Sequence, residues 1–113
     1  MAEAKFFLYD GDLIGLPTNE NHLVFRWNGP GKVLFSMTQH GLAANLHLAC
    51  DKEGLRHLKK ACIDFVDFVF TEFGWCKMCI AHIARPSIER LVSKIGFGYI
   101  GTSEVGAIYV RLK

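Results

Sequence analysis

The sequence predicts an α+β fold built on a mixed β-sheet: an N-terminal antiparallel meander, a parallel β-α-β crossover, a short helix and a C-terminal hairpin. Three observations predict it. Residues 1–50 alternate short apolar runs with turn signals, as in a meander. Residues 51–73 place apolar side chains three and four positions apart, the spacing of an amphipathic helix. Apolar runs at residues 46–50 and 75–83 flank that helix, and such a unit closes as a right-handed parallel crossover.

The first part of the chain is expected to form short antiparallel strands. Its strongest turn signal is Asn-Gly-Pro-Gly at residues 28–31, and Asp-Gly-Asp at residues 10–12 is a second one. Residues 17–21 have the composition of a loop. The expected strands are residues 5–9, 13–16, 22–27, 32–37 and 42–50.

The helix predicted over residues 51–73 carries its charges against its dipole. Asp51 is the expected N-cap, but basic side chains crowd the first half, where a helix is already partly positive. These basic residues are Lys52, Arg56, His57, Lys59 and Lys60. Such loading suits a polyanionic ligand such as a phosphate or pyrophosphate, and Gly54 would let the ligand approach the backbone. A solvated basic face is the alternative interpretation.

The second half of the chain also has defined boundaries. Gly74 is expected to end the long helix, and residues 75–83 form a nearly continuous apolar run typical of a buried strand. Pro86 suits the first position of a short helix that ends at Gly96. The last two expected strands, which pair as a hairpin, are residues 99–101 and 107–112.

Composition limits the classes of protein that the chain can belong to. At 113 residues, half of them hydrophobic, it is long enough for one core, and we expect a single domain over residues 1–113. No apolar stretch is long enough to span a bilayer, and the first apolar run is too short for a signal peptide. The net charge of +2 is near balance, and the basic run lacks interleaved aromatic residues. We therefore expect a cytoplasmic protein that binds neither nucleic acid nor a membrane.

Two of the four cysteines form a CxxC pair, Cys76 and Cys79, with His82 three residues later. In a strand over residues 75–83, side chains three positions apart point to opposite faces, so the two thiols would not share a metal ion. A redox-active CxxC pair opens a helix, whereas here a helix ends just before it. We expect buried free thiols and no metal site, with a zinc or redox module as the alternative.

A longer pattern lies near the C-terminus. The sequence Arg-Pro-Ser-Ile-Glu-Arg-Leu-Val-Ser-Lys-Ile-Gly-Phe at residues 85–97 is followed by Gly-Tyr-Ile-Gly-Thr. It resembles the second motif of the GNAT superfamily of acyl-CoA-dependent N-acyltransferases, in which an Asn-led helix runs into Glu-Lys-Leu-Gly-Phe and then a strand. The resemblance extends from residue 46 to the C-terminus. The chain resembles a small, divergent member, similar to the trimmed relatives that phages encode.

The resemblance implies an acetyl-CoA-dependent N-acetyltransferase that acts on a primary amine, carried by a small molecule or a protein. In that family a loop of the form Q/R-x-x-G-x-G/A wraps the pyrophosphate of acetyl-CoA, and the pantetheine arm lies between two parallel strands that splay apart. Residues 51–56 correspond to this loop, and only Gly54 fits its pattern. The cofactor-binding residues that the resemblance implies are Leu48, Cys50, Lys52, Glu53, Gly54, Leu55, Arg56 and Arg85.

The catalytic positions depart from the family pattern. Arg85 stands in place of the usual Asn, and Val92 in place of the Tyr that many members use to protonate the leaving thiolate. The nearest hydroxyl groups that could substitute belong to Ser87 and Tyr99. His47, on the central strand, is the candidate general base for the acceptor amine, and a structural strand histidine is the alternative reading.

Two functions therefore stay open at the level of the sequence. The first is the N-acetyltransferase. The second is a GNAT-like protein without catalysis that acts as a binding or structural factor, such as a phage virion component or a host-directed protein. The altered loop, Val92 and the lack of the family's first two helices in residues 5–41 favour the second. Exposed sheet edges in so small a domain predict a homodimer.

Overall fold

The computed structural model describes residues 4–16 and 22–113. Within these ranges the chain forms one seven-stranded sheet with the strand order β1-β2-β3-β4-β5-β7-β6. The elements are β1 (Phe6–Leu8), β2 (Leu23–Trp27), β3 (Val33–His40), β4 (Ala43–Cys50), α1 (Lys52–Leu55), α2 (Leu58–Glu72), β5 (Met78–Ile83), α3 (Pro86–Lys94), β6 (Gly98–Thr102) and β7 (Ala107–Leu112). The predicted α+β class is confirmed, and so is the parallel pairing of β4 with β5.

The meander is confirmed with one correction. β1 to β4 pair antiparallel in sequence order, and the predicted turn at residues 28–31 joins β2 to β3. The strand expected at residues 13–16 is wrong, because Ile14 and Gly15 have positive φ values of 44° and 86°. The Leu16 N–H bonds the carbonyl of Leu13 at 2.8 Å, so the segment is a turn. The loop expected at residues 17–21 lies outside the described residues.

The single helix expected over residues 51–73 is in fact two helices. α1 is one turn long, and its Gly54 lies against the β2–β3 hairpin so closely that a Cβ there would be 2.7 Å from the Lys32 carbonyl oxygen. The turn tightens at its end, where the His57 N–H bonds the Gly54 carbonyl at 3.0 Å. His57 then leaves helical geometry, with φ −114° and ψ 13°, before α2 begins. The close contact at Gly54 therefore fixes α1 against the sheet and sets the break.

Both longer helices cover the same face of the sheet. The Phe65 ring of α2 stacks on Phe35 of β3 with centroids 4.3 Å apart and planes 12° apart. Val92 of α3 belongs to the same buried cluster. Side chains alternate between the two faces of a strand, so every second residue of β4, β5 and β7 points away from this core. No described helix packs on that opposite face.

A buried carboxylate joins α2 to the first two strands. Asp64 is 5% exposed and accepts hydrogen bonds from Trp27 Nε1 at 2.9 Å, Lys60 Nζ at 3.1 Å and Lys5 Nζ at 3.3 Å. Burial acts to raise the pKa of Asp64, but these three donors outweigh it and hold the pKa below its usual value. Asp64 is therefore ionised in the folded protein and anchors the meander to the helix.

The second half of the chain follows its predicted boundaries, apart from a later start of the strand, but Gly74 does not have the positive φ of the left-handed helix stop expected there. α3 begins at Pro86 and ends before Gly96, which has a φ of 101°. β5 begins at Met78, so Cys76 precedes the strand. The expectation that Cys76 and Cys79 point apart is therefore wrong: both thiols are fully buried, and burial together with the Cys76 contact raises the pKa of Cys79 to about 12. None of the described helices combines the length and apolar character needed to cross a membrane.

Candidate functional site

The parallel pairing at the centre of the sheet stops before either strand ends, and we call the unpaired stretch between β4 and β5 the wedge. β4 and β5 pair only from Ala43 with Met78 to Leu46 with Ala81. Beyond that point β4 stays paired with β3 as far as Cys50, and β5 stays paired with β7. The last four residues of β4 therefore have no strand partner on the β5 side, within the described chain, and those backbone groups among them that do not bond β3 face the gap.

Helices border the wide end of this wedge on both sides. β4 leads through Asp51 into α1, and β5 leads through Arg85, the N-cap residue, into α3. The two strand ends are close enough to interact electrostatically. Burial raises the pKa of the Cys50 thiol, Asp51 adds to that effect, and the positive charge of Arg85 opposes it.

Basic side chains follow the ends of β4 and β5 at the wedge. We call this set the basic rim; it consists of Lys52, Arg56 and Arg85. Arg26 and Lys32 also help to lower the pKa of Asp51, but their side chains contact the Tyr9 ring on the β2 side of β3 and do not belong to the rim. In residues 4–16 and 22–113 the ion pairs are those of Asp64 with Lys5 and Lys60, so no rim residue has a carboxylate at ion-pair distance. The rim is therefore free to bind an anion.

The first turn of α1 is already satisfied by the chain itself. Asp51 Oδ1 accepts the N–H of Gly54 at 2.7 Å and that of Lys32 at 3.0 Å, and these two bonds lower the pKa of Asp51. A Cβ on Gly31 would lie 2.3 Å from the Gly54 nitrogen, so the hairpin fills the space beside Gly54. Close packing within the chain thus explains the missing side chain, and a cofactor role for Gly54 stays a prediction. Phosphates would have to be bound by rim side chains.

His47 is the first residue of β4 beyond the β5 pairing. Leu46 and Leu48 pack towards the helices, so His47 points to the helix-free face of the sheet. Its ring centroid lies 5.9 Å from that of His22. Partial burial, followed by repulsion from His22 and His82, lowers the pKa of His47. His47 is therefore neutral at pH 7 and can accept a proton.

The structure does not bring the two candidate hydroxyl groups together with His47. Tyr99 pairs with Tyr109, which follows Ala81 and Leu46 across the sheet, so three strand spacings of about 4.8 Å each separate Tyr99 from β4. The Tyr99 ring contacts Tyr109 on the helix-covered face, opposite to His47, and its hydroxyl bonds Thr102 Oγ1 at 2.7 Å. Ser87 is exposed in the first turn of α3, nearer to the wedge.

The predicted cofactor residues are gathered at one end of the wedge. Leu48 and Cys50 pack against the core from β4, and residues 52–56 follow directly as α1 and its C-cap. Arg85 faces them from the end of β5. Val92, where the family carries a tyrosine, is buried in the core. A shallow groove between α3 and Tyr109 lies on the helix-covered side and does not belong to the wedge.

Sequence reasoning missed three polar residues next to His47. Asn45 shares the helix-free face of β4, and Thr38 lies directly across from Asn45 on β3. His82 is the first residue of β5 beyond the β4 pairing. The period-two pattern of β4 and β5 could have placed Asn45 and His82 on one face. Thr38 gave no signal, because its hydroxyl is distinguished only by being buried without a hydrogen-bond partner in the described chain.

No family model matches this sequence, and no curated protein matches it. Solved structures do match its fold. A variant of the spermidine N-acetyltransferase SpeG from Vibrio cholerae superposes with a TM-score of 0.64 at 16% identity, covering 83% of this chain and 67% of that chain. The aminoglycoside acetyltransferase AAC(6')-Ib in complex with coenzyme A gives 0.62 at 16% identity, covering 83% of this chain and 68% of that chain. A second AAC(6')-Ib structure, which contains acetyl-CoA, gives 0.59 at 14% identity, covering 83% and 66%.

These neighbours define the class of architecture. Each is named as an acetyltransferase, and each covers most of the present chain. The GNAT-like α+β fold that the sequence pattern implied is therefore confirmed. At such low identity the similarity establishes the fold.

Proposed function

We propose that the protein is an acetyl-CoA-dependent N-acetyltransferase that acts on a primary amine. The observation that carries this proposal is the wedge between β4 and β5, which opens beyond Leu46 and Ala81 and is bordered by the basic rim. Structures with this fold have been solved with coenzyme A and with acetyl-CoA, which supports the same co-substrate here. Extended ligands suit such a gap, because unpaired strand groups can bond them as a further strand would.

The proposed cofactor contacts follow from the wedge. The pantetheine arm lies along residues 47–50, where the backbone of β4 has no β5 partner. The phosphates are bound by Lys52 and Arg56 from the β4 side and by Arg85 from the β5 side. Because Asp51 already accepts the Gly54 N–H, these side chains supply the phosphate contacts, with Leu48, Cys50, Glu53 and Leu55 lining the same end.

The proposed reaction is direct transfer. The amine nitrogen attacks the thioester carbonyl carbon, a C–N bond forms, and the C–S bond breaks. His47, neutral because of its burial and histidine neighbours, takes one proton from the attacking nitrogen. The leaving sulfur takes up one proton from a hydroxyl group or from water, and His47 gives its proton back through the solvent to replace it, so an uncharged amine and the thioester yield an N-acetyl amine and the free thiol. With Val92 buried, Ser87 at the start of α3 is the closer of the two predicted hydroxyl donors, and Tyr99 is the more distant one.

A second function is favoured by two specific features. The Asp51 carboxylate already occupies the N–H of Gly54 and places a negative charge at the end of β4. Val92 removes the hydroxyl that many family members carry at that position. A protein with these features could keep the fold without catalysis and act as a binding or structural factor, as a phage-type or host-directed protein would.

Thermal unfolding with acetyl-CoA tests the choice between them. A ligand that binds only the folded state at one hundred times its dissociation constant adds about 2.7 kcal/mol, which corresponds to a rise in Tm on the order of 10 °C. We expect this rise for the native sequence and its loss in the Lys52→Ala, Arg56→Ala double variant. The control is Lys77→Ala with Lys94→Ala, which removes two exposed cations from outside the rim. No shift at millimolar acetyl-CoA would exclude the transferase.

Assembly and cellular location are also proposals. The edge strands β1 and β6 expose apolar side chains, including Leu8 and Ile100, and we propose a homodimer formed through a sheet edge. One spermidine N-acetyltransferase with this fold is described as dodecameric. Sedimentation at micromolar concentration measures the oligomeric state, and a monomer would contradict the proposal. A cytoplasmic location stays a prediction.

A further inference from the structure

We propose that the acceptor is a primary amine carried on an apolar alkyl or aryl body, which lies on the helix-free face of the sheet beside His47. This inference rests on the proposed transferase function and adds the chemical class of the second substrate. Three observations support it. They are an apolar surface, a group of polar residues at the border of that surface, and the absence of carboxylates from both.

The apolar surface is formed by alternate residues of β5 and β7. We call it the open-face patch; it consists of Met78, Ile80, Ile108, Val110 and Leu112. Ile80 lies directly across from Val110, and His82 directly across from Ile108. Their sequence neighbours Cys79, Ala81 and Tyr109 pack into or against the core, which confirms that the patch residues point the other way. All five are at least partly exposed, and Leu112 is 70% exposed.

A polar group borders this patch on the β4 side. Asn45 lies between Thr38 on one neighbouring strand and Ile80 on the other. His47 and His82 are the next residues along the same face of their strands. An acceptor that spans this border places its amine at His47 and its apolar body on Ile80 and its neighbours.

Thr38 gives an independent sign that a ligand belongs here. Its side chain is 8% exposed, and its hydroxyl has no hydrogen-bond partner within the part of the chain that the structure describes. A buried hydroxyl without a partner is destabilising, and native proteins contain few of them. A ligand amine or a ligand-bound water next to Asn45 would satisfy it.

The charges of this face exclude a polycation. The helix-free positions of β4, β5 and β7 hold no Asp or Glu residue. Spermidine and aminoglycosides, the substrates in the names of the fold neighbours, carry several positive charges that would lose their water against the patch without a carboxylate partner. A monoamine in its uncharged form brings no positive charge to this face, and His47 takes the single proton that leaves its nitrogen as the amide forms.

A series of linear amines tests the acceptor class. With acetyl-CoA saturating, the rates of acetylation of ethylamine, butylamine, hexylamine and spermidine are measured by mass spectrometry of the products. Each methylene group that reaches the patch should raise kcat/KM about threefold to fourfold, so hexylamine should exceed ethylamine by about two orders of magnitude. Spermidine should react no faster than butylamine. A preference for spermidine, or rates independent of chain length, would overturn the inference.

Two variants test whether the dependence of kcat/KM on chain length arises from contact with the patch. Ile108→Asp puts a charge across from His82, at the level of His47, and Val110→Asp puts one across from Ile80; urea unfolding of each variant checks that it still folds. Both should lower kcat/KM for hexylamine by about tenfold or more, and should lower it for ethylamine by a smaller factor. Leu42→Asp is the matched control, because Leu42 is 63% exposed in the turn before β4, at the end of that strand away from His47. Equal losses in the variants and the control would contradict the inference.

A binding measurement separates failure of this inference from failure of the transferase function. If acetyl-CoA does not raise Tm, hexylamine binding to the protein alone is measured by NMR. Binding that Ile108→Asp abolishes and Leu42→Asp preserves supports the patch as an amine site, whereas absent binding overturns it. A dimer that Val110→Asp converts to monomer would show that a second copy covers the patch, and would also overturn the inference.

Discussion

The two sides of β4 differ although they share one backbone. On the β3 side the pairing runs through all eight residues, from Val33 with Cys50 to His40 with Ala43. On the β5 side it stops after four residues, at Leu46 with Ala81. The opening costs few hydrogen bonds, because β4 keeps β3 and β5 keeps β7 as partners beyond that point. A strand can thus be rigid on one side and offer a binding gap on the other.

The largest expected effect is on the β5 side of β4, where the pairing stops. His47→Gln should lower kcat for hexylamine acetylation by about 10²–10⁴-fold, the usual contribution of a positioned general base. Its stability in urea should change little, because His47 lies outside the core cluster. His40→Gln is the control, since His40 is an exposed histidine at the end of β3. Equal rates in the two variants would remove His47 from the reaction.

On the β3 side of β4, where the pairing is complete, substitutions should change the free energy of unfolding. Phe65→Ala removes the ring that stacks on Phe35 of β3 and leaves a cavity, at a cost of about 3–5 kcal/mol. Ile63→Ala, on the same helix and 38% exposed, should cost less than about 1.5 kcal/mol. Urea unfolding measures both. Comparable losses of unfolding free energy in the two variants would mean that the α2–β3 contact does not stabilise the fold as the structure indicates.

We expect the buried Asp64 carboxylate to stabilise the fold mainly through its hydrogen bond with the uncharged Trp27 side chain. Asp64→Ala leaves Trp27 Nε1 without its acceptor, which should cost about 1–3 kcal/mol. Asp64→Asn keeps an acceptor for Trp27 and loses only the bonds to Lys5 and Lys60, which are 61% and 65% exposed, so it should cost about 1 kcal/mol or less. If the two variants lose equal stability, the lysines contribute more than their exposure implies.

Thr38 tests the same comparison. It lies on β3, the fully paired neighbour of β4, but its side chain is on the face of the sheet that holds the proposed acceptor site. Thr38→Val removes a hydroxyl that has no partner among the described residues, and should stabilise the fold by about 1 kcal/mol. The same variant should weaken hexylamine binding. Ser36→Ala, two residues earlier on the same face, removes a hydroxyl that does have a partner and should be destabilising by about 0.5–1.5 kcal/mol. Destabilisation by Thr38→Val would mean that its hydroxyl is satisfied.

The sequence predicted the elements set by local signals better than the surroundings of the wedge. Turn residues 28–31 and the alternation of β2 are local signals, and they placed the hairpin correctly. Pro86 and Gly96 likewise marked α3 through backbone constraints that act within a few residues. Local patterns of this kind survive into the fold because tertiary contacts agree with them.

The errors arose where distant segments meet. Gly54 reads as an open first turn, but the β2–β3 hairpin fills the space beside it and breaks the helix. Cys76 reads as part of a strand, but it precedes β5 and its thiol joins that of Cys79 in the core. Tyr99 reads as a catalytic hydroxyl, but the strand order places it three strands from β4. Register and strand order are set by the whole chain, and no short pattern encodes them.

The smallest expected effect is the pH dependence that His47 adds. Its folded pKa lies below the unfolded value of about 6.5, because burial and then His22 and His82 disfavour the charged ring. Below pH 6.5 the unfolded chain therefore binds a proton that the folded protein resists, and stability should fall as the pH drops towards the lowered pKa. His47→Gln should flatten this part of the profile, measured by urea unfolding between pH 8 and pH 5. Because a protonated His47 cannot take the amine proton, kcat/KM should fall over the same range, and activity that persists unchanged to pH 5 would assign the base to another group.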